Sequence, residues 1–231
     1  MLYLDGRSLT IADVHDVAVG RTPVALHPDA RDRMTRTRLV VDFAVASGKP
    51  VYGVNTGFGK LSEITIPNDQ LAALQRNLVR SHAAGVGDRL PETEVRAMML
   101  LRANVLATGF AGARTAVVDL LINMLNAGIY PVVPEQGSVG ASGDLAPLAH
   151  LALVLIGEGR ACIGSREDDA VTLLAEKSLR PVVLEAKEGL ALINGTQAHT
   201  AIAALAIFEL ARLWRASHVT TAMSLEALLG T

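Results

Sequence analysis

The segment Gly137-Ser-Val-Gly-Ala-Ser-Gly-Asp-Leu-Ala-Pro-Leu-Ala-His150 places three glycines and two serines immediately before an apolar stretch, and several chemistries use such a loop. A hydrolase nucleophile elbow needs Gly-x-Ser-x-Gly, but Gly140-Ala-Ser142-Gly-Asp144 has Asp where the second Gly belongs. A phosphate loop needs Gly-Lys-Ser/Thr, or Gly-x-Gly-x-x-Gly opening the helix, and neither is present. Two readings survive. One is a flexible turn in which Asp144 caps a helix starting near Leu145. The other is an internal condensation of Ala141, Ser142 and Gly143. The Gly143 amide nitrogen carries no side chain to block its approach to the Ala141 carbonyl carbon, and a glycine backbone takes the tight geometry required. Ring closure with loss of water, then dehydration of Ser142, gives 4-methylidene-imidazol-5-one, an electrophile built from the chain itself. When an amine adds to it, negative charge develops on the ring, and the amino end of the following helix offers a positive dipole end to meet it. Ala-Ser-Gly alone occurs in roughly one chain in ten of this size at average composition, so the tripeptide cannot decide between the two.

Longer strings carry more weight. Ser138-Val-Gly-Ala-Ser-Gly-Asp-Leu-Ala-Pro-Leu-Ala-His150, Val51-Tyr-Gly-Val-Asn-Thr-Gly-Phe-Gly-Lys-Leu61, Leu74-Gln-Arg-Asn-Leu-Val-Arg-Ser-His-Ala-Ala-Gly85 and Leu190-Ala-Leu-Ile-Asn-Gly-Thr-Gln197 together resemble four blocks of the aromatic amino acid ammonia-lyase family, in the family's order. The resemblance implies elimination of ammonia from an amino acid: the self-made imidazolone activates the amino group while a base removes a proton from the carbon beta to the carboxylate. No external cofactor is implied. The base matches Tyr52; a phenol ordinarily titrates at about 10, so Tyr52 needs surroundings that favour its anion, or a concerted transfer. Gly53, Gly57 and Gly59 suit a loop that closes over substrate. Asn194, which before Gly195 would otherwise read as a cap or turn, matches an Asn that contacts the imidazolone and substrate. Ser81 and His82 match the substrate side-chain pocket in its histidine-acting version, so L-histidine is the expected substrate and urocanate the product. The alternatives are a tyrosine or phenylalanine lyase or aminomutase, and a non-catalytic assembly domain that never forms the ring. His82 also shares a helical face with Leu71, Leu74 and Leu78, where a dipole-stabilised structural histidine would sit. Asp144 would aid ring formation or cap, and Phe58 would stack near the ring or simply pack.

These residues must be held by helices. The expected class is mainly α with a few short strands, the amino-terminal domain of the ammonia-lyase fold, followed by the first long helix of a central bundle. After a strand-like start (1–10), helices are expected over 28–47, 68–84, 91–108 and 114–127, ended at Gly48, Gly85, Gly109 and Gly128, so that four helices precede residue 130. Between 157 and 190 a surface ribbon is expected, with strands at 162–163, 171–174 and 181–184 around an acidic turn, Glu167-Asp168-Asp169. A last helix spans 196–229, and its apolar positions wrap most of its circumference, so it needs cover from elsewhere. By the resemblance, a domain boundary is expected at 195/196, between an amino-terminal domain (1–195) and the start of the central helical domain (196–231).

Composition sets the frame. Half of the 231 residues are apolar, 19% are charged, and 21 Lys plus Arg nearly balance 23 Asp plus Glu. Such a chain buries enough surface to fold, and its net charge of -2 gives no reason to expect nucleic acid or an anionic membrane as partner. Cys162 is alone, which suits a reducing compartment, and the charged start (Asp5, Arg7) does not read as a secretory signal, so a cytoplasmic location is expected. The apolar stretches 145–156 and 198–213 read as buried helices, the first too short to span a bilayer and the second interrupted by His199, Glu209 and Arg212. The six histidines show no helical pairing of the zinc-binding kind, and no metal is expected. The resemblance covers the amino-terminal half of family members. By that resemblance the other half would supply a carboxylate-binding Arg, a second Tyr, a Gln and a Glu, and the family's homotetramer would assemble the site from several chains, so this chain alone is expected to have little or no lyase activity.

Overall fold

The computed structural model describes residues 1–138 and 143–230. β1 (Leu2–Leu4) leads into α1 (Ile11–Ala18), which opens on a reciprocal cap: the Thr10 hydroxyl accepts from Asp13 N, and the Asp13 carboxylate accepts from Thr10 N. β2 (Val24–Leu26) pairs in parallel with β1, Leu2 opposite Val24. α2 (Pro28–Ser47) has Pro at its first turn and stops at left-handed Gly48. After a stretch whose only helical turns are 3-10 (Gly59–Leu61, Asn68–Gln70) come α3 (Leu71–His82), β3 (Val86–Arg89), α4 (Glu92–Ala107) and α5 (Thr115–Ala127), the last stopped at left-handed Gly128. β4 (Ile129–Pro131), β5 (Pro134–Gln136), α6 (Leu145–Leu155), β6 (Arg160–Ile163), β7 (Arg166–Asp169) and α7 (Ala170–Glu176) follow. α8 (Glu188–Ile193) and α9 (Gln197–Ala227) close the chain. β3 pairs antiparallel with β5, and β4, β6 and β7 form a three-stranded antiparallel sheet.

The core is built around α4, which buries residues on nearly every side and packs against α1, α5 and the root of α9. Small residues permit that last contact: Ala198, Ala201 and Ala204 recur every three positions on the buried side of α9. Arg96 of α4 is buried and donates to Val17 O, Ala18 O and Leu125 O, satisfying carbonyls at the carboxy ends of both α1 and α5. A second buried charge ties distant segments. The Glu188 carboxylate, fully inaccessible, accepts from Arg114 Nε, Nη2 and backbone N and from Glu185 N, while Arg38 reaches Glu185 and Ala186 O from α2.

Several expectations are corrected. Five α-helices, not four, precede residue 130; α1 was missed because, at eight residues, it offers only about two turns of apolar spacing (Ile11, Val14, Val17, Ala18) directly after a strand-like start. The amino-terminal strand is confined to 2–4. The helix expected over 68–84 begins with a 3-10 turn and ends at His82, with Ala83 as its cap, so Gly85 does not stop it. Residues 171–174 are helical, 181–184 form no strand, and 167–169 lie in β7 instead of a turn, the reversal falling between β6 and β7 at Gly164 (φ 60). The apolar run 198–213 is not a buried helix throughout: beyond its root α9 exposes Ile207, Leu210, Leu213 and Trp214. The helical run 188–227 is long and apolar enough to cross a membrane by length and composition, with 39% of its most apolar window buried inside the fold.

Candidate active site

Ala141 and Ser142 lie outside the described residues; their neighbours Ser138, Gly143 and Asp144 lie within them. Gly143 has φ 125, a conformation reserved for glycine, and a β-carbon there would stand 2.5 Å from Gly195 O. Asp144 N donates to the same Gly195 carbonyl at 2.6 Å. The carboxyl end of the Ala-Ser-Gly tripeptide therefore rests directly on the Asn194-Gly195 turn. A cradle that only glycine fits at position 143 suits the proposed ring, whose third residue must be glycine.

Asp144 corrects its expected role. It occupies the cap position of α6 but makes no side-chain cap there. Its buried carboxylate instead accepts from His199 N at 3.0 Å, in the first turn of α9, and from Ser138 Oγ at 2.7 Å, with the His199 ring against Oδ1. It caps α9 in place of α6.

The short α8 is the hub of the arrangement, because each of its ends is held by a side chain from another helix. At its start, the buried Gln75 of α3 accepts from Gly189 N (2.9 Å) and Leu190 N (3.4 Å), leaving its own Nε2 without a partner among the described residues. At its end, Arg102 of α4, buried and pushed down to about 10 by desolvation, donates to Ala191 O, Asn194 O and Gln197 Oε1. It stays charged near neutrality. In between, Leu190 lies 2.8 Å from where a β-carbon on Gly53 would stand, so the Tyr52 loop rests on α8 because residue 53 is glycine, with φ 74.

That loop frames itself through buried Asn55, whose Oδ1 accepts from Val51 N and whose Nδ2 donates to Lys49 O. Gly59 has positive φ and Gly57 does not. Tyr52 is exposed, its ring edge-on to half-buried Phe58 at 6.3 Å. Asn194 is also exposed, and it lines a cavity of about 270 Å³ with Phe110, Lys187 and Leu190. His82 is the last residue of α3. Its Nδ1 lies 2.8 Å from Leu78 O, and since a carbonyl can only accept, Nδ1 carries a proton and Nε2 is left for other contacts. Ser81 Oγ donates to the same carbonyl. His150 of α6 accepts from Gly85 N through Nε2, and burial lowers its pKa. The structure thus gathers the Tyr52 loop, Asn194 and Gly143 about α8, and links the Ser81-His82 end of α3 to α6 through Gly85. A further cavity of about 440 Å³ between α2 and α3 is lined by Arg38, Asp42 and Glu185, already engaged with one another, and by none of these candidates.

A sequence profile described as aromatic amino acid lyase matches residues 9–231. The chain belongs to the aromatic amino acid lyase family. Among members of this family, histidine ammonia-lyase of Anaeromyxobacter sp. (strain K) is 54% identical over the whole chain, which covers 47% of that protein. The crystal structure of histidine ammonia-lyase from Trypanosoma cruzi superposes with a TM-score of 0.93 at 41% identity, covering all of this chain and 44% of that one. A tyrosine aminomutase structure superposes with a TM-score of 0.92 at 37% identity, covering 98% and 42%. The chain thus spans just under half the length of these lyase-family relatives.

Arg102, Gln75, Gln197 and Lys187 were not read from the sequence as parts of the site. For Arg102 a signal existed: a lone charge inside the apolar run 97–107 must be buried and therefore partnered. Gln75, which bonds backbone amides more than a hundred positions away, has no comparable sequence mark.

Proposed function

We propose that this protein acts as an ammonia-lyase on L-histidine, giving trans-urocanate, with 4-methylidene-imidazol-5-one formed from Ala141, Ser142 and Gly143. The observation that carries the reading is the seat of Gly143 and Asp144 on the Asn194-Gly195 turn, which puts the tripeptide's glycine beside the Asn of a different block. Once formed, the group supplies an electron-poor carbon to which the substrate's amino nitrogen adds. The chain's own residues do the rest. Tyr52 accepts the proton from the substrate carbon beta to the carboxylate, and ammonia leaves as the carbon–carbon double bond forms. Asn194 both donates and accepts hydrogen bonds to hold the substrate in register. His82, with Nδ1 committed to Leu78 O, presents Nε2 to the substrate's imidazole, and the amino end of α6 offers the positive end of its dipole to developing negative charge. The Tyr52 loop closes over the bound amino acid. The protein works in the cytoplasm as a homotetramer whose central bundle begins with α9, capped at Thr196, and the exposed apolar side of α9 supports that reading. The 231-residue chain by itself has little or no activity.

The test is intact mass together with turnover of the complete protein. A mass below the sequence value by two waters, with urocanate absorbance growing on addition of L-histidine, is the expected result. An unmodified mass would assign the chain to a non-catalytic assembly role. The likeness to a tyrosine aminomutase favours one second reading, activity on tyrosine, and faster turnover of tyrosine than of histidine would establish it.

A further inference from the structure

We propose that Arg102 is a positioning residue for ring formation at Ala141-Ser142-Gly143, acting through the Asn194-Gly195 turn. The inference rests on the reading above that this ring forms. One guanidinium on α4 holds the last turn of α8 (Ala191 O), the turn itself (Asn194 O, 3.2 Å) and the first residue of α9 (Gln197 Oε1, 2.7 Å). What it holds is the seat of the reacting backbone. Gly195 O accepts from Asp144 N at 2.6 Å and stands against Gly143 so closely that no β-carbon fits there. The packing on the other side is as tight: a β-carbon on Gly195 would overlap both Arg102 Nη1 and Gln197 Oε1. Arg102 therefore packs against, and bonds, the same turn whose Gly195 carbonyl seats Gly143 and Asp144.

Ring closure joins Gly143 N to the Ala141 carbonyl carbon. The carbonyl oxygen leaves as water with the N–H protons of Gly143 and Ser142, and Ser142 then loses its hydroxyl and its α-proton as a second water, so no oxidant or reductant enters. The rate depends on how often the nitrogen is presented to the carbonyl carbon, and fixing Gly143 on its carboxyl side removes freedom that closure must otherwise freeze. Arginine suits this task because its planar fork reaches three oxygens on two elements at once, where a lysine would offer a single point. Its Nε is left buried without a partner among the described residues, so the side chain is oriented for the turn at the expense of its own saturation.

Arg96 supplies the control. It is buried on the same helix and also donates to three backbone carbonyls, but none of them belongs to the turn. In the complete protein as its gene encodes it, intact mass is followed with time after synthesis in wild type, R96M, R102M and the charge-keeping R102K, each taken from its folded, monodisperse fraction. Wild type and R96M are expected to lose both waters. R102M is expected to close its ring about 10²-fold more slowly, as displacement of a reacting group by an ångström commonly does, with R102K in between. Should R102M fail to fold, R102K carries the comparison. Loss of both waters at the wild-type rate in either folded Arg102 variant overturns the proposal. Equal slowing in R96M overturns it too, because any loosening of the core would then suffice. A wild-type protein that keeps its full mass overturns the lyase reading itself, and this proposal with it.

Discussion

In the proposed mechanism Ser142 supplies the hydroxyl whose loss makes the electrophile, so Ser142→Ala is expected to fold with an unchanged melting temperature while losing turnover by several orders of magnitude, about 10³-fold or more. Retention of the wild-type rate would mean that the imidazolone plays no part. Tyr52→Phe is expected to bind L-histidine with little change and to stall at proton removal; calorimetric titration beside a rate measurement separates the two, and full turnover would move the base elsewhere. Candidates of this kind can be picked out of a sequence because the proposed chemistry asks for their types: a hydroxyl between two small residues, a phenol in a glycine-rich block, an amide before glycine. Asp144 shows the limit of that legibility. Its position before Leu145 reads as a cap for α6, and the carboxylate turns instead to His199 N, a partner 55 positions away that no local pattern records.

Among the elements, the six residues of α8 are too few to hold their own helix, since nucleation alone outweighs what so short a segment returns. Gln75→Leu removes the acceptor from Gly189 N and Leu190 N, and is expected to cost about 1–3 kcal/mol in chemical denaturation. His150 adds a pH dependence. Its Nε2 must be unprotonated to accept from Gly85 N, and burial lowers its pKa from the ordinary 6.5. Below 6.5 the unfolded chain takes up a proton that the folded one resists, so this contribution is complete above that pH and fades as the pH falls. Melting temperatures that drop on acidification in wild type and drop less in His150→Gln would bear this out. The helices that close on Gly48 and Gly128 were readable from the sequence because a left-handed cap and an apolar run coincide there. β7 was not, because Arg166-Glu-Asp-Asp has the composition of a turn and becomes a strand only by pairing with β6 and ion-pairing to Arg160.

For the molecule as a whole, the Glu188 cluster joins α2, the start of α5 and α8 by charge. Glu188→Gln leaves Arg114 with Glu185 as its one remaining counter-charge among the described residues and is expected to lower stability by about 1–3 kcal/mol, read from urea unfolding. The mainly helical class and the late long helix followed from spacing alone, whereas the way α4 gathers α1, α5 and α9 did not, since it depends on contacts among distant segments.

At 31 residues α9 is about 46 Å long, yet its neighbours are gathered along its first half, where Phe208 stacks on His15 of α1 and Glu209 reaches the same ring. From Trp214 onward the 231-residue chain must keep helical hydrogen bonds without tertiary support, through Val219, Thr220 and Thr221, which are poor helix formers. Deuterium uptake along this one helix should therefore run as a gradient, slowest at Ala201 and Ala204 and rising by orders of magnitude toward Leu228.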